Sequence, residues 1–397
     1  MRVLVVTKLF PNAAEPLSAP FNRQQLGALG RRCEVEVLAT IPWFPGSRLV
    51  ARLGRRPSPP SRLPRADRID GLEVTHPRTL YFPRYGHALS AGLYALSVLP
   101  ALLRRRRRFD VLLGSWAYPD GVATVALGQA LGLPVVVKVH GSDLDLLAQR
   151  PTLRWQLARA LPRAARVVAV SRALTQVVES LGVEPSRIDV VANGVDAQLF
   201  RVRERAESRA KLGRGGDTRR WILYVGRLQA DKGVLDLAAA FAKVAAADLQ
   251  AALVVVGEGP ERPALETMLG PLGDRACLVG ALPLADVPRW MSAADLVTLP
   301  SHHEGTPNVL LEALACGRRV VATRVGGIPD IVHRPELGVL VPVGDVPALA
   351  AALAAELRIA YVGTTVAALG ARGGWDESAA RLEASLARAV AEGSARG

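Results

Sequence analysis

Short apolar runs alternate with helix-length amphipathic segments along nearly the whole chain, and this rhythm constrains the fold more than any other feature. Strands at that spacing need crossover helices, so they form βαβ units and parallel sheets. In the first half the predicted strands are 3–7, 35–39, 111–114, 135–139, 167–170 and 188–191. The rhythm breaks at 194–218, a polar, charged stretch ending in G-R-G-G-D-T that has linker composition and room for one short helix. A second series follows at 222–226, 253–257, 276–280, 296–300, 320–323 and 338–342. A chain of 397 residues exceeds what a single core supports. The expected architecture is therefore α/β, with two doubly wound Rossmann-like domains at 1–195 and 196–375.

Half of the residues are hydrophobic, enough to build cores without disulfides or metals. Cys33, Cys277 and Cys316 lie far apart with no C-x-x-C pair, which predicts neither a disulfide framework nor a zinc site and fits a reducing, cytoplasmic setting. The opening M-R-V-L-V-V-T-K-L-F-P is expected to be a buried strand, since it lacks the longer apolar stretch and cleavage site of a signal peptide. The apolar segment 88–103 is interrupted by serines and Pro100. It is also shorter than the ~20 residues of a spanning helix.

A formal charge of +14 concentrates in the five-arginine run 104–108 and in the Arg/Pro-rich stretch 48–68. Nucleic acid, anionic lipid and a phosphorylated substrate all fit such a charge, as does a solvated arginine-rich surface. With 5% aromatics and no recognisable binding module, nucleic acid is not the expected partner. The segment 87–103 followed by the arginines could dock peripherally on an anionic membrane surface, or could be a packed crossover helix with a solvated end.

In doubly wound sheets ligands lie beyond the carboxyl ends of the strands. After the strand at 221–225, Gly226-Arg227-Leu228-Gln229-Ala230-Asp231-Lys232-Gly233 delivers an arginine and a lysine to one loop ahead of a helix beginning near Val234. A planar fork, a point charge and a helix N-terminus suit a diphosphate. The run Gly257-Glu258-Gly259-Pro260 has Arg262 where a dinucleotide fingerprint needs its third glycine, so it reads as a tight βα turn that lets backbone approach a ligand.

The richest segment is S-H-H-E-G-T-P-N-V-L-L-E-A-L-A-C-G, 301–317. Gly305 permits a turn, Pro307 fits a first helical turn, and the amides of Asn308 and Val309 then point at an anion, with phosphate the obvious candidate. Glu304 on the loop and Glu312 inside the helix would accept from hydroxyls of a sugar and of a ribose. In the first half, His140-Gly141-Ser142-Asp143 follows the strand 134–139. Asp143-Leu144-Asp145 spells a D-x-D but reads as helix-start acid, favourable at the dipole.

The spacing Gly226-Arg227-x4-Lys232-Gly233 followed by Glu304-x7-Glu312 resembles the retaining GT-B glycosyltransferases of family 4 over nearly the whole chain. The resemblance implies two domains facing across a cleft, with the final helix, 376–397, crossing back onto the first. It implies a hexosyltransferase moving a sugar from a nucleotide-diphosphate donor, UDP- or GDP-sugar, without metal or cofactor. His140, Arg227, Lys232 and Glu304 are the implied catalytic residues. Gly226, Gly257, Glu258, Gly259, Gly305, Thr306, Asn308, Val309, Leu310 and Glu312 are the implied donor-binding residues.

Within this resemblance Arg227 and Lys232 hold the diphosphate and Glu312 the ribose, while Asn193-Gly194-Val195-Asp196 has a hinge role. Three departures stand out: no paired-glycine turn in the loop 8–20, Arg318 for proline after A-C-G, and Asp330 for glutamate. Phe21-Asn22-Arg23-Gln24-Gln25 resembles a polysaccharide-assembly subset that includes teichuronic acid and exopolysaccharide enzymes, which implies a glycolipid or oligosaccharide acceptor. A same-fold sugar-nucleotide epimerase is the alternative, sharing the donor loops without an acceptor. A basic nucleic-acid-binding protein is the more distant one.

Overall fold

The computed structural model describes residues 1–16, 18–44, 63–80, 87–105, 108–141, 144 and 150–394. The chain forms two units, Met1–Asn193 with Trp375–Gly397, and Gly194–Gly374.

The first unit runs β1 (Arg2–Thr7), α1 (Pro20–Gly30), β2 (Glu34–Ala39), β3 (Ile41–Trp43), β4 (Ala66–Ile69), β5 (Leu72–Thr75), β6 (Arg78–Leu80), α2 (Ser90–Leu103), β7 (Val111–Ser115), α3 (Val122–Leu131), β8 (Val135–Val139), α4 (Pro151–Ala160), β9 (Arg166–Ala169), α5 (Arg172–Ser180) and β10 (Ile188–Val190). Its main sheet has the order β10-β9-β8-β7-β1-β2-β5-β4, parallel except for the β4–β5 pair. Alternation along β1 splits the core: Leu4 and Val6 face the side of α2 to α5, Val3 and Val5 the side of α1 and the C-terminal helix, Trp375–Ser394. That helix is fixed by Gln25 Nε2 donating to Ser378 Oγ at 2.8 Å, Ser385 Oγ to Asp189 at 2.8 Å, and Arg166 to Glu392 at 2.8 Å.

Strand periodicity did not find β4 and β5, because β4 is a polar edge strand, Ala-Asp-Arg-Ile. The signal was present in the turn: Asp70 and Gly71, at φ 50° and 84°, form the tight D-G connection of a hairpin.

The second unit runs α6 (Arg205–Lys211), β11 (Arg220–Val225), α7 (Val234–Ala247), β12 (Ala251–Val256), α8 (Arg262–Leu269), β13 (Ala276–Gly280), α9 (Val287–Ala293), β14 (Leu296–Leu299), α10 (Asn308–Ala315), β15 (Val320–Thr323), α11 (Ile328–Ile331), β16 (Gly338–Val341), α12 (Val346–Glu356) and α13 (Gly363–Gly370). The sheet is wholly parallel in the order β13-β12-β11-β14-β15-β16.

The stretch expected as a linker is instead folded into this unit. The buried Arg209 of α6 donates to the Ala293 carbonyl at 3.0 Å and to Asp295 at 2.8 Å, with its guanidinium 4.5 Å from the centre of the Trp221 ring. Polar composition and the closing G-R-G-G-D-T made the segment look like a linker; the short helix it had room for is α6, and its Arg209 is a structural tie.

The three cysteines are free. Among the described residues no helix is long and apolar enough to cross a membrane. Nor do three His, Cys, Asp or Glu side chains gather where they could hold a metal ion. Asp143 and Asp145 of the D-x-D, Ser142, the greater part of 48–68 and two members of the arginine run, Arg106 and Arg107, lie outside the described residues. Arg105, one member of that run, is tied back into the first unit. It is partly buried and paired with Glu36, with further bonds to Thr75 Oγ1 at 3.1 Å and the Ala101 carbonyl at 3.2 Å.

Candidate active site

In the second sheet the strand order reverses between β11 and β14, and a crevice opens beyond the carboxyl ends at such a switch point. Both cation- and carboxylate-bearing loops leave the sheet there. Gly226 and Arg227 follow β11, and Lys232 lies in a short 3₁₀ turn, Ala230–Lys232, ahead of α7. The Arg227 side chain is exposed and has no ion-pair partner among the described residues. Below it the buried Tyr224 hydroxyl donates to the Arg227 carbonyl at 2.9 Å. Burial, with Glu304 and Asp231 nearby, pushes the Tyr224 pKa far up, so the hydroxyl stays a donor.

After β14 the loop turns back so that Glu304 Oε1 lies 2.8 Å from Lys232 Nζ and 2.8 Å from the buried Ser301 Oγ. Three glycines permit the approach. Gly233, at φ +65°, would set a Cβ 1.9 Å from the Pro300 carbonyl oxygen, and Gly326, at φ +54°, one 1.7 Å from that of Glu304. Gly257 would set its Cβ 1.8 Å from the Gly226 carbonyl oxygen. A side chain at any of them would force the loops apart.

The G-E-G-P turn zips onto the G-R-L-Q turn: Gly226 N donates to the Val256 carbonyl at 3.0 Å and Leu228 N to that of Glu258 at 2.9 Å. The Glu258 side chain is exposed and pairs with Arg262 at 2.5 Å, so the arginine in the third-glycine position closes the turn by charge. Gly259 would carry a Cβ 2.2 Å from the Leu228 carbonyl oxygen, so this turn too depends on backbone approaching backbone.

Helix α10 begins at Asn308, with Pro307 capping in extended conformation rather than lying inside the first turn. Gly305 accepts from the Gly327 amide at 2.7 Å, and Thr306 leads into the cap. The amides of Asn308 and Val309 open the helix, where backbone donors precede their intrahelical acceptors. The Leu310 side chain is fully buried in the core and its amide donates to the Pro307 carbonyl at 3.2 Å, so this residue anchors the helix start. Glu312 is partly covered on the second turn, and burial raises its carboxyl pKa to about 7.

His140 lies in the first unit, at the carboxyl end of β8. It is buried, and desolvation, reinforced by Lys138, holds its pKa well below the usual range, so the imidazole is neutral at physiological pH. Its Nε2 lies 3.1 Å from Ser115 Oγ, which donates to Asn22 Oδ1 at 3.0 Å; Asn22 Nδ2 donates to the Leu9 carbonyl at 2.8 Å. Lys138 Nζ bonds to Gln25. The F-N-R-Q-Q segment thus sets the surroundings of His140 through Asn22 and Gln25, with Phe21 4.9 Å from the imidazole centroid.

Sequence reading missed Ser115, Trp116 and Asp120. Trp116 stacks on His140 at 5.6 Å with a strained φ of 122°, and Lys8 Nζ lies 5.5 Å from its ring. Asp120 is fully buried; burial raises its pKa to about 6 while Lys8 and Tyr94 draw it down. Their common origin, the switch point between β1 and β7, is visible only once the strand order is known.

Residues 219–358 match the family model Glycosyl transferases group 1, and residues 23–199 match Glycosyltransferase Family 4. A 2-deoxystreptamine glucosyltransferase of Streptomyces kanamyceticus is 30% identical over 325 residues, 76% of this chain and 78% of that protein. The chain belongs to glycosyltransferase family 4. Within the family it is also similar to TuaC, a glycosyltransferase assigned by inference to teichuronic acid biosynthesis in Bacillus subtilis (strain 168), at 28% identity over 83% of each chain. Among solved structures, Anabaena HepE in complex with UDP superposes with a TM-score of 0.72 at 19% identity, covering 98% of this chain and 100% of that one. Sucrose-phosphate synthase from Thermosynechococcus elongatus does so with a TM-score of 0.71 at 21% identity, covering 100% and 98%. The fold is GT-B. The protein is a glycosyltransferase of the hexosyl-transferring kind.

Proposed function

We propose that the second unit binds a nucleoside diphosphate sugar with Arg227 and Lys232 on the diphosphate, Glu312 on the ribose, and Glu304 with Gly305, Thr306 and Asn308 facing the donor sugar. One observation carries this reading: an exposed guanidinium, a lysine paired to a carboxylate and a helix start converge at the switch point of one sheet. A fork, a point charge and directed amides are what a diphosphate requires. They also meet the charge that develops on a departing diphosphate, so the transfer is proposed to run without a metal ion. UDP is the favoured nucleotide, supported by the Anabaena HepE structures with UDP and with UDP-glucose.

The acceptor hydroxyl attacks C1 of the sugar on the face from which the diphosphate leaves. The C1–acceptor oxygen bond forms as the C1–phosphate oxygen bond breaks, the acceptor proton passes to a donor phosphate oxygen, and configuration is retained. His140 is the first unit's contribution to the transfer. The acceptor is a lipid-linked or polysaccharide-precursor glycan of the cell surface, supported by the F-N-R-Q-Q segment and by TuaC, whose match covers more of this chain than that of the glucosyltransferase named above. The enzyme would act on such acceptors peripherally, at the inner face of the plasma membrane.

The test is transfer from UDP-sugars to a lipid-linked glycan extract in EDTA, with the product anomer read from NMR coupling constants. A product of the donor's configuration formed in EDTA is expected. An inverted product, or activity lost in EDTA and restored by Mg²⁺, would overturn the corresponding part of the proposal.

A further inference from the structure

Helix α2 carries no charged side chain on any side. Ala91, Tyr94, Val98 and Leu102 pack on the sheet of the first unit, while Leu89, just ahead of the helix, Leu96 and Leu103 face outward, 66%, 67% and 47% exposed. They recur every seven residues, and the exposed Gly92 and Pro100 fill the same stripe. An amphipathic helix of a globular domain places charged side chains on its outer face; this one places none until Arg104.

Beside its start lies α4. Gln156 Nε2 donates to the Ala88 carbonyl at 2.8 Å, and the neighbouring Trp155 is 61% exposed with the Arg159 guanidinium 5.4 Å from the centre of its ring. Arg104, Arg108, Arg150, Arg154, Arg159 and Arg163 are exposed along these segments. Neither 87–109 nor 150–178 contains an aspartate or glutamate. An exposed apolar stripe, an amphipathic tryptophan and an acid-free cationic rim occur together on one layer of one unit.

We propose that the outer face of α2, with Trp155 and the arginines of α4, docks on an anionic lipid membrane. The leucines enter the headgroup–acyl boundary, Trp155 lies at the interface and the arginines meet lipid phosphates. A second copy of the chain would cover the leucines but set like-charged rims against each other, which charge disfavours. An anionic bilayer meets the apolar stripe and the cationic rim at once. The proposal deepens the lipid-linked acceptor reading, on which it rests for its purpose, by naming the surface that would bring the enzyme to that acceptor.

The experiment is flotation of the full chain with vesicles of phosphatidylcholine alone and with 30 mol% phosphatidylglycerol (about one lipid in three, a cytoplasmic-leaflet-like charge). It compares wild type, Leu96→Gln/Leu103→Gln, and Arg154→Gln/Arg159→Gln. Wild type is expected to float only with the anionic vesicles. The leucine variant is expected to lose at least about tenfold in partitioning, from the apolar area each leucine buries. The arginine variant loses about fivefold per arginine and becomes less salt-sensitive.

Thermal shift by nucleotide sugar, measured on the same preparations, must be unchanged in both variants, which separates failed docking from failed folding or a failed donor site. Wild type remaining unbound at low salt would overturn the proposal. So would flotation indifferent to the leucines, or self-association that the leucine variant abolishes in the absence of lipid.

Discussion

Lys232 Nζ and Glu304 Oε1 lie 2.8 Å apart, and each is the nearest charged partner the other has among the described residues. In the function proposed above, the pair joins the residue assigned to the diphosphate to the one assigned to the sugar. A diphosphate bound as proposed would compete with Glu304 for the ammonium, because the two side chains are already paired. The Ser301 hydroxyl holds the carboxylate from its other side.

Separating the two roles is the first prediction. Lys232→Ala is expected to weaken binding of a nucleoside diphosphate by roughly 10- to 100-fold, the range of one charge-assisted contact. Glu304→Gln leaves that affinity unchanged or improved, because its competition for Lys232 is gone, and lowers kcat instead. Calorimetric titration of UDP alongside steady-state kinetics reads both.

Glu312 supplies the second prediction. With its carboxyl pKa raised to about 7 by burial, the group is largely protonated at pH 6 and ionised at pH 8. Ribose hydroxyls donate to the ionised form, so donor affinity is expected to rise from pH 6 to pH 8, by at most about tenfold per unit below the pKa. Glu312→Gln removes that rise. Titrations at several pH values check it, and a wild type with flat affinity contradicts the ribose role.

Asp120 makes a stability prediction of definite sign. Its folded pKa of about 6 lies above the ordinary 3.8, so the folded state holds the proton more tightly than the unfolded chain. The stabilisation is full below about 3.8 and is lost as pH rises through 6, on the order of 3 kcal/mol in all. The groups facing the carboxyl are Lys8, beyond β1, and Tyr94, from α2, both drawing it toward ionisation. Asp120→Asn should therefore raise Tm relative to wild type more at pH 7.5 than at pH 4.5, by thermal denaturation at both.

Loop closeness makes the fourth. Gly233→Ala would set a methyl 1.9 Å from the Pro300 oxygen at a φ of +65°. The strain and displacement are expected to cost about 3 kcal/mol and to weaken donor binding by separating Lys232 from Glu304. Gly132→Ala, at φ +68° with open space around it, carries only the backbone strain and serves as the control in the same melting experiment.

Much of the architecture was legible because parallel strands buried on both faces are near-continuous apolar runs, such as Val-Val-Val-Lys-Val at β8 and Ala-Ala-Leu-Val-Val-Val at β12. The edge hairpin of β4 and β5 was not, since polar alternation there resembles a loop until the Asp70-Gly71 turn is weighed. Arg227, Lys232, Glu304 and Glu312 were readable as a spacing. Residues acting on them through packing were not: Tyr224 looks like core, Ser301 like loop and Gly326 like any glycine. Lys8, Trp116 and His140 share one cluster although 132 positions separate the first from the last (8 to 140), and no local pattern carries that.

In the function proposed above, the loops after β11 and β14 hold a nucleotide sugar. The most direct measurement is the thermal shift of the full chain in EDTA with UDP-, GDP-, ADP- and dTDP-sugars, repeated for Lys232→Ala and Glu312→Ala, because a ligand that binds only the folded state stabilises it by mass action. One nucleotide class, UDP, is expected to raise Tm in wild type, with the shift falling away in both variants. A shift of equal size in the variants, or none with any nucleotide sugar, would contradict it.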